Sequence, residues 1–168
     1  MTHEDLAAHA RAVIAANLYL TLGTVDEDGH PWTSPVYFAS ADDREFYWVS
    51  TVDARHSRNL AVRPQVSIVI FDSTVPPYHG RAVYAVGEAR EVAGDELDRA
   101  LDVYPGPADR GATPVTREDV TGPADYRLYR ATASEVWVLC PRAPRQPCSL
   151  HGISKDHRAQ VVWSEGQR

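Results

Sequence analysis

The feature that most constrains the fold is a run of three short β-type segments, located between residues 18 and 50. In the segment 18–25, large apolar side chains alternate with smaller or polar ones, and the segments 32–39 and 45–49 follow after short polar turns. A period of two is typical of half-buried strands, and strands with short connections pair antiparallel. The pattern therefore predicts an antiparallel meander.

Helical spacing of apolar residues predicts an amphipathic helix over residues 3–16, with Thr2 and Asp5 as a cap-like start. A second short helix is predicted over residues 53–61, with Asp53 as its N-cap. The remaining predicted elements are strands over 65–73 and 81–92 with a bulge or bend at Gly87, a helix over 95–104, an irregular loop over 105–124, two strands over 125–141 joined by a turn around Ala133 and Ser134, and a closing segment over 159–163.

The order of these elements predicts a mainly β fold. Six or more strands and a few short helices follow one another without βαβ alternation, which favours a closed or nearly closed antiparallel β-barrel with short helices. The 168 residues suit a single domain. We place that domain over residues 1–168, with residues 142–168 as a variable C-terminal tail.

Charge and composition limit the classes of binding partner that the chain can have. The chain carries 17 Lys and Arg against 23 Asp and Glu, a net charge of −6, so no protein-wide basic field recruits nucleic acid or membrane. Neither a signal peptide nor a long apolar segment is present. We expect a cytoplasmic protein in which Cys140 and Cys148 are free thiols. Neither their spacing nor that of the seven His residues is a known metal pattern, so no metal site is predicted.

A cationic cluster marks the start of the second predicted helix. Ser50 and Thr51 precede it, and Arg55, His56 and Arg58 lie in its first turns. A helix N-terminus favours an anion, and a guanidinium can hold a phosphate through two parallel hydrogen bonds. The residues alone leave two interpretations open, which are a phosphomonoester site and a solvated helix face.

The second predicted strand contains Pro35 between Ser34 and Val36. Proline cannot donate a hydrogen bond to a β-ladder, so Pro35 indicates an edge, a bulge or a place where the backbone leaves the sheet. Backbone groups released there could bind a planar ligand. An ordinary edge strand is the alternative.

Taken in order, these motifs resemble the pyridoxamine 5′-phosphate oxidase-like family of FMN-binding split-barrel proteins. The shared features are a D-x-D-G turn, a strand with an S-P-V core, an aromatic strand and the pattern S-x4-R-[KH]-x2-N-L. The segments "RPQVSIVIFDS", "AVYAVGEAREV" and "EVWVL" follow in the expected order. The resemblance covers roughly residues 10 to 140.

The resemblance implies a homodimer of split barrels with FMN at the interface, and an oxidoreductase that acts through flavin N5 on a small-molecule substrate. Arg55 and His56 fall on the basic pair that binds the FMN phosphate, and His56 replaces the more frequent lysine, so its charge would change near neutral pH. The other implied cofactor contacts are Val49 and Ser50 beside the phosphate and ribityl chain, Ser34, Pro35, Val36 and Tyr37 beside the flavin ring, Ala82 near the family's glutamine, and Trp137 toward the partner's flavin.

The chain departs from the true oxidase at two places. Ser34 and Ala39 stand where the oxidase strand carries Arg and Lys, and no R-L-H-D-R motif follows the E-x-W strand. We therefore expect a substrate other than pyridoxamine phosphate. Catalytic residues stay unassigned, with Tyr37 and His79 as the candidates to test for proton transfer. Two alternatives remain, a deazaflavin-dependent reductase and a non-catalytic module that binds flavin or haem.

Overall fold

The computed structural model describes residues 2–163, which form an eight-stranded antiparallel sheet with three α-helices and two short 3₁₀ turns. The mainly β class and the minimum of six antiparallel strands are confirmed. The elements are α1 (His3–Ala16), β1 (Tyr19–Val25), β2 (Pro31–Tyr37), β3 (Ala39–Ala41), β4 (Glu45–Thr51), α2 (Arg55–Val62), β5 (Gln65–Phe71), β6 (Ala82–Glu91), α3 (Glu96–Val103), β7 (Tyr126–Leu139) and β8 (Arg158–Gln160).

The strands follow the spatial order β2-β1-β5-β6-β7-β4-β3, and β8 pairs with β7. The sheet curls so that β2, at one edge, comes near β4 at the far end. Among residues 2–163 no ladder joins these two strands, and we call the opening between them the split. Pro35 lies in β2, so its prediction as an edge-strand residue is confirmed.

The main core fills the inside of the curled sheet and is closed by α1. Thr2 and Asp5 form the expected capping box, which fixes the start of that helix. Leu6 and Ala10, one turn apart, are fully buried against the strands. A second core lies between α3 and the outer side of β4 and β7, around Tyr47 and Leu97. Both faces of β4 are therefore covered, which holds that side of the split in place.

The start of α2 differs from the prediction. The helix begins at Arg55 with Ala54 as its N-cap, and no side chain caps it, so the assignment of Asp53 as N-cap is wrong. The reason is a tight turn in which the Ala54 N–H donates to the Thr51 carbonyl, 3.2 Å away. This turn puts Asp53 before the cap, where its backbone carbonyl accepts a hydrogen bond from the Arg58 guanidinium.

The segment predicted as two strands with a turn around Ala133 and Ser134 is the single strand β7, so that turn is wrong. The register along β6 passes from Val86 opposite Glu135 to Gly87 opposite Ala133, and Ser134 is the extra residue of a β-bulge. A Cβ on Gly87 would lie 2.1 Å from the Thr132 carbonyl oxygen, so the close approach requires glycine. The predicted irregularity at Gly87 is confirmed.

The second predicted strand is also divided. It stops at Tyr37, and a separate short strand, β3, starts at Ala39 and pairs with β4. After Leu139 the chain leaves the sheet and returns as β8 opposite Trp137–Leu139, which confirms part of the predicted closing segment. Within the described residues, no helix is long and apolar enough to cross a membrane.

Candidate functional site

The imidazole of His56 forms hydrogen bonds to both sides of the split. His56, in the first turn of α2, is only 8% exposed. Its Nε2 lies 2.7 Å from Ser50 Oγ in β4, and its Nδ1 lies 3.1 Å from Ser34 Oγ in β2. Trp32 Nε1 donates a further hydrogen bond of 3.0 Å to Ser34 Oγ. Three predicted site residues from the S-P-V and S-x4-R-[KH] motifs therefore meet in one hydrogen-bonded row.

Burial determines the charge of this row. Desolvation lowers the pKa of His56 from its ordinary value, because the charged form loses its hydration. A neutral imidazole donates from one ring nitrogen and accepts at the other. In this state, His56 links the strands as a neutral group, and its positive charge is confined to acid pH.

The exposed cation at the split is Arg55. Its guanidinium carbon lies 4.4 Å from the centroid of the Trp32 ring, a cation–π contact. Its Nη2 lies 3.5 Å from an Asp26 carboxylate oxygen, a long contact between two partly exposed groups. The first amides of a helix also lack intrahelical partners. Arg55 therefore keeps donors for a further anion beside the positive end of α2.

Arg58 does not join this cluster. Its guanidinium reaches back to the Asp53 carbonyl on the exposed side of α2. The three basic residues that the sequence groups together therefore have different environments. Arg55 lies beside the split, His56 is buried and links β2 to β4, and Arg58 lies on the surface of α2. Because Arg58 shares the helix and the charge of Arg55, it is a suitable control residue.

The remaining β2 residues have different environments. Pro35 is exposed on the strand, whereas Val36 is 7% exposed and belongs to the main core. The Tyr37 hydroxyl donates a 2.6 Å hydrogen bond to the Pro105 carbonyl. The end of β2 is thereby fastened to the loop that follows α3.

Arg110, which sequence reasoning missed, reaches the same end of β2. Its Nε donates to the Tyr37 hydroxyl at 3.3 Å, and its Nη2 donates to the carbonyls of Asn17 and Phe38 at 3.0 and 2.9 Å. The residue sits in a Gly- and Pro-rich loop, where no local pattern indicates this role. The guanidinium joins three parts of the chain, and its donors are already used by these acceptors.

Three predicted site residues lie apart from the row. Val49 packs beside the second core under α3. Ala82 is buried at the start of β6 opposite Phe71, and Trp137 is half-buried in β7 opposite Tyr84. Within residues 2–163, no hydrogen bond or ring contact connects any of the three to the Ser34–His56–Ser50 row.

An open groove of about 810 Å³ crosses the sheet and is lined by residues of β2, β1, β5, β6 and β7. Trp32, whose ring contacts the Arg55 guanidinium, lines one end of the groove. None of the ten predicted site residues lines it. Its wall contains no His, Cys, Met or Tyr, the side chains that ligate haem iron. Small residues give the groove its depth, among them Gly23, Ser67, Gly87 and Ala133.

Sequence comparison gives one family. Residues 6–140 match the family model described as pyridoxamine 5′-phosphate oxidase. A pyridoxine/pyridoxamine 5′-phosphate oxidase from Pseudomonas paraeruginosa is 31% identical over 86 residues, which is 51% of this chain and 38% of that protein. The matches span less than half the length of the curated relatives.

Structural comparison gives the same fold. A haem-binding protein from Mycobacterium smegmatis has a TM-score of 0.65 at 22% identity, over 92% of this chain and 57% of that one. A haem storage protein from Vibrio cholerae has a TM-score of 0.60 at 23% identity, over 79% of this chain and 94% of that one. These likenesses confirm the split-barrel architecture.

Proposed function

Because the chain belongs to the pyridoxamine 5′-phosphate oxidase family, we propose that it is an FMN-dependent oxidoreductase acting on a small-molecule substrate. The observation that carries the proposal is the row across the split, where Ser34 and Ser50 meet at His56 with Arg55 beside them. These residues come from the motifs in which the family resemblance implies phosphate and ring contacts.

The residues at the split fit the phosphate half of FMN. Arg55 has a weakly held guanidinium that can exchange the 3.5 Å contact with Asp26 for a charge-assisted bond to a phosphate. The Ser50 hydroxyl and the first amides of α2 add donors on the same side. In its neutral form His56 has one N–H, and both ring nitrogens are engaged with Ser34 and Ser50, so the ring positions the Ser50 hydroxyl; a bound dianion would favour its protonation.

The ring half of the cofactor would lie along β2, from Ser34 to Tyr37. When bound, FMN supplies hydride or electron-pair transfer, and the protein contributes position and electrostatics. Ser34 offers a hydroxyl where the oxidase has a cation, and Arg110 is engaged with carbonyls near Tyr37. We therefore propose a flavin whose ring edge meets neutral donors, with a substrate other than pyridoxamine phosphate.

We also propose that two copies of the chain share the cofactor. Trp137 lies on β7, away from the row, as expected if it serves the flavin of the partner copy. The groove and the exposed rings of Trp32, Tyr19 and Phe71 leave apolar surface that a second copy would cover. Sedimentation equilibrium tests this, with a dimer expected and a monomer at all concentrations as the contradicting result.

A haem-binding module is the second candidate, because two structural neighbours are named for haem binding and storage. At the split, both His56 ring nitrogens lie within hydrogen-bond distance of the Ser34 and Ser50 hydroxyls, so neither is free to ligate haem iron, which favours flavin. A deazaflavin-dependent reductase remains the third candidate, since the anion-binding site at the start of α2 would also attract that cofactor's phosphate.

An absorption spectrum of the purified protein, followed by FMN titration, tests the proposed function. We expect flavin bands in the isolated protein or after titration, and their bleaching and return when a reductant and then an oxidant are added. A Soret band would favour the haem module. Absence of FMN binding would contradict the proposal, and binding without any turnover would leave a flavin-binding module.

A further inference from the structure

Four side chains of the C-terminal region converge outside the split. The donor atoms of Cys140, Cys148, His151 and His157, which we call the tail cluster, all lie within 4.8 Å of one another. Cys140 follows the end of β7, and the other three residues lie in the segment that leads back to β8. The fold brings them together, since the Cys140 N–H donates to the His157 carbonyl at 3.0 Å beside the β7–β8 ladder.

The separations within the tail cluster correspond to the edges of a tetrahedron around a metal ion. His151 Nδ1 lies 3.6 Å from Cys140 Sγ and 3.6 Å from Cys148 Sγ, and Cys148 Sγ lies 3.6 Å from His157 Nε2. The two ring nitrogens are 3.2 Å apart. Bonds of about 2.3 Å from zinc to sulfur and about 2.0 Å to nitrogen give tetrahedral S···N and N···N edges of roughly 3.5 and 3.3 Å.

Hydrogen bonds alone do not account for this convergence. His151 Nδ1 faces two sulfur atoms and one ring nitrogen simultaneously. A ring nitrogen carries either one proton or one lone pair, so it cannot serve three partners equally. A cation at the centre would satisfy all four donor atoms at once.

The surroundings also orient the ligands. His157 Nδ1 lies 3.0 Å from the Lys155 carbonyl, and an N–H donated there leaves the Nε2 lone pair facing the cluster. The His151 backbone N–H donates to Cys148 Sγ at 3.2 Å, an interaction that stabilises a thiolate. Gly152 follows with φ of +68°, which turns the chain back around the sulfur.

We propose that Cys140, Cys148, His151 and His157 form a zinc site that fastens the tail to β7. Two sulfurs and two imidazole nitrogens are the donor set that zinc prefers, and four protein ligands leave no open position, which is typical of a structural site. Both cysteines are buried at 3% and 2% exposure, whereas His151 is exposed and gives an ion access. The proposal replaces the sequence-based expectation that no metal site exists.

Metal analysis and cobalt substitution of the full chain test this proposal. We expect one zinc per chain after purification without chelator. After zinc is stripped, Co²⁺ alone should produce intense tetrahedral d–d bands and thiolate charge-transfer absorption that saturate at one equivalent. Ser149→Ala, an exposed substitution between the ligands, should leave both unchanged.

Cys148→Ser and His157→Ala should each lose the zinc and alter the cobalt spectrum, and circular dichroism verifies that each variant is folded. If Cys148→Ser fails to fold, His157→Ala decides, because its side chain is the more exposed of the two. A pale octahedral cobalt spectrum, zinc retained by folded His157→Ala, or a Cys140–Cys148 disulfide in the freshly purified protein would overturn the proposal.

Discussion

The split and the tail cluster both bring His side chains against distant parts of the chain, but the histidines have different partners in the two regions. At the split, His56 lies between the hydroxyls of Ser34 and Ser50, next to the cation of Arg55. In the tail cluster, His151 and His157 face two sulfur atoms. Hydroxyls beside a guanidinium suit an anion, whereas sulfur and imidazole together suit a soft cation.

The groups that surround each histidine, and not the histidine itself, determine what each region can bind. His56 is neutral because burial lowers its pKa, so the anion at the split depends on Arg55. The donor atoms of the tail cluster are two thiol sulfurs and two imidazole nitrogens, and its thiols supply the negative charge when they ionise. The two regions should therefore respond independently to chelators and to loss of Arg55.

The largest expected effect is exposure of the tail to trypsin when zinc is removed. At free zinc 100 times its Kd, binding should reduce the open tail population about 100-fold. Cleavage at Arg145 and Lys155, both exposed, should accelerate correspondingly in a chelator, while FMN binding is retained. Cys148→Ser should be cleaved fast with or without zinc. Equal rates in zinc and chelator for the unmodified chain would show that no metal holds the tail.

The second-largest expected effect is on FMN affinity at the split. Arg55→Ala should weaken FMN binding by about 1.5–3 kcal/mol, roughly 10- to 150-fold, for loss of a charge-assisted contact. Arg58→Ala removes the same charge from the same helix and should change affinity far less, because its guanidinium is bound to the Asp53 carbonyl. Fluorescence titration measures both, and similar losses in the two variants would indicate a general electrostatic effect rather than a phosphate contact at Arg55.

A smaller effect, on the free energy of unfolding, is expected for the His56 hydrogen bonds across the split. His56→Ala removes the hydrogen bonds to Ser34 and Ser50, and we expect the free energy of unfolding to fall by about 1–3 kcal/mol. Urea unfolding at fixed zinc measures it. His30→Ala, an exposed histidine next to Asp26, should change it by no more than about 0.5 kcal/mol. An unchanged midpoint for His56→Ala would mean that these hydrogen bonds contribute nothing to stability.

The smallest effect is the pH dependence of stability. Burial lowers the pKa values of His56 and His9, so the unfolded chain binds more protons as the pH falls through about 6.5. The contribution of these two histidines to the free energy of unfolding should be fully present above that pH and should decline below it. His56→Gln should reduce the decline measured between pH 7.5 and 5.5, and the other titrating groups, His9 among them, should maintain the rest. A decline as steep as that of the unmodified chain would exclude His56 as a contributor.

Most of the strands and the candidate residues at the split could be predicted because their signals are local. The β-type segments between residues 18 and 50 and the order of the S-P-V and S-x4-R-H motifs are visible in the sequence. The contact of His56 with Ser34 could not be predicted, because it depends on the curl of the sheet. The N-cap of α2 could not be predicted, because the turn before Ala54 depends on one backbone hydrogen bond. The bulge at Ser134 was interpreted as a turn, since small residues occur in both.

The tail cluster could not be predicted from spacing. Cys140 and His157 are 17 positions apart, and only the pairing of β8 with β7 brings them together. Arg110 was missed for the same reason, because its acceptors at Asn17 and Phe38 belong to distant segments. Contacts set by the path of a loop leave no periodic or motif signal in the residues that make them.

We propose that Arg55 at the split holds the phosphate of FMN. The most direct test compares the affinities of FMN and riboflavin, which lacks the phosphate, for the unmodified chain and for Arg55→Ala. We predict that FMN binds the unmodified chain more tightly than riboflavin does, and that Arg55→Ala removes about 1.5–3 kcal/mol of that advantage while riboflavin affinity stays the same. An equal loss for both ligands, or no preference for FMN in the unmodified chain, would contradict the claim.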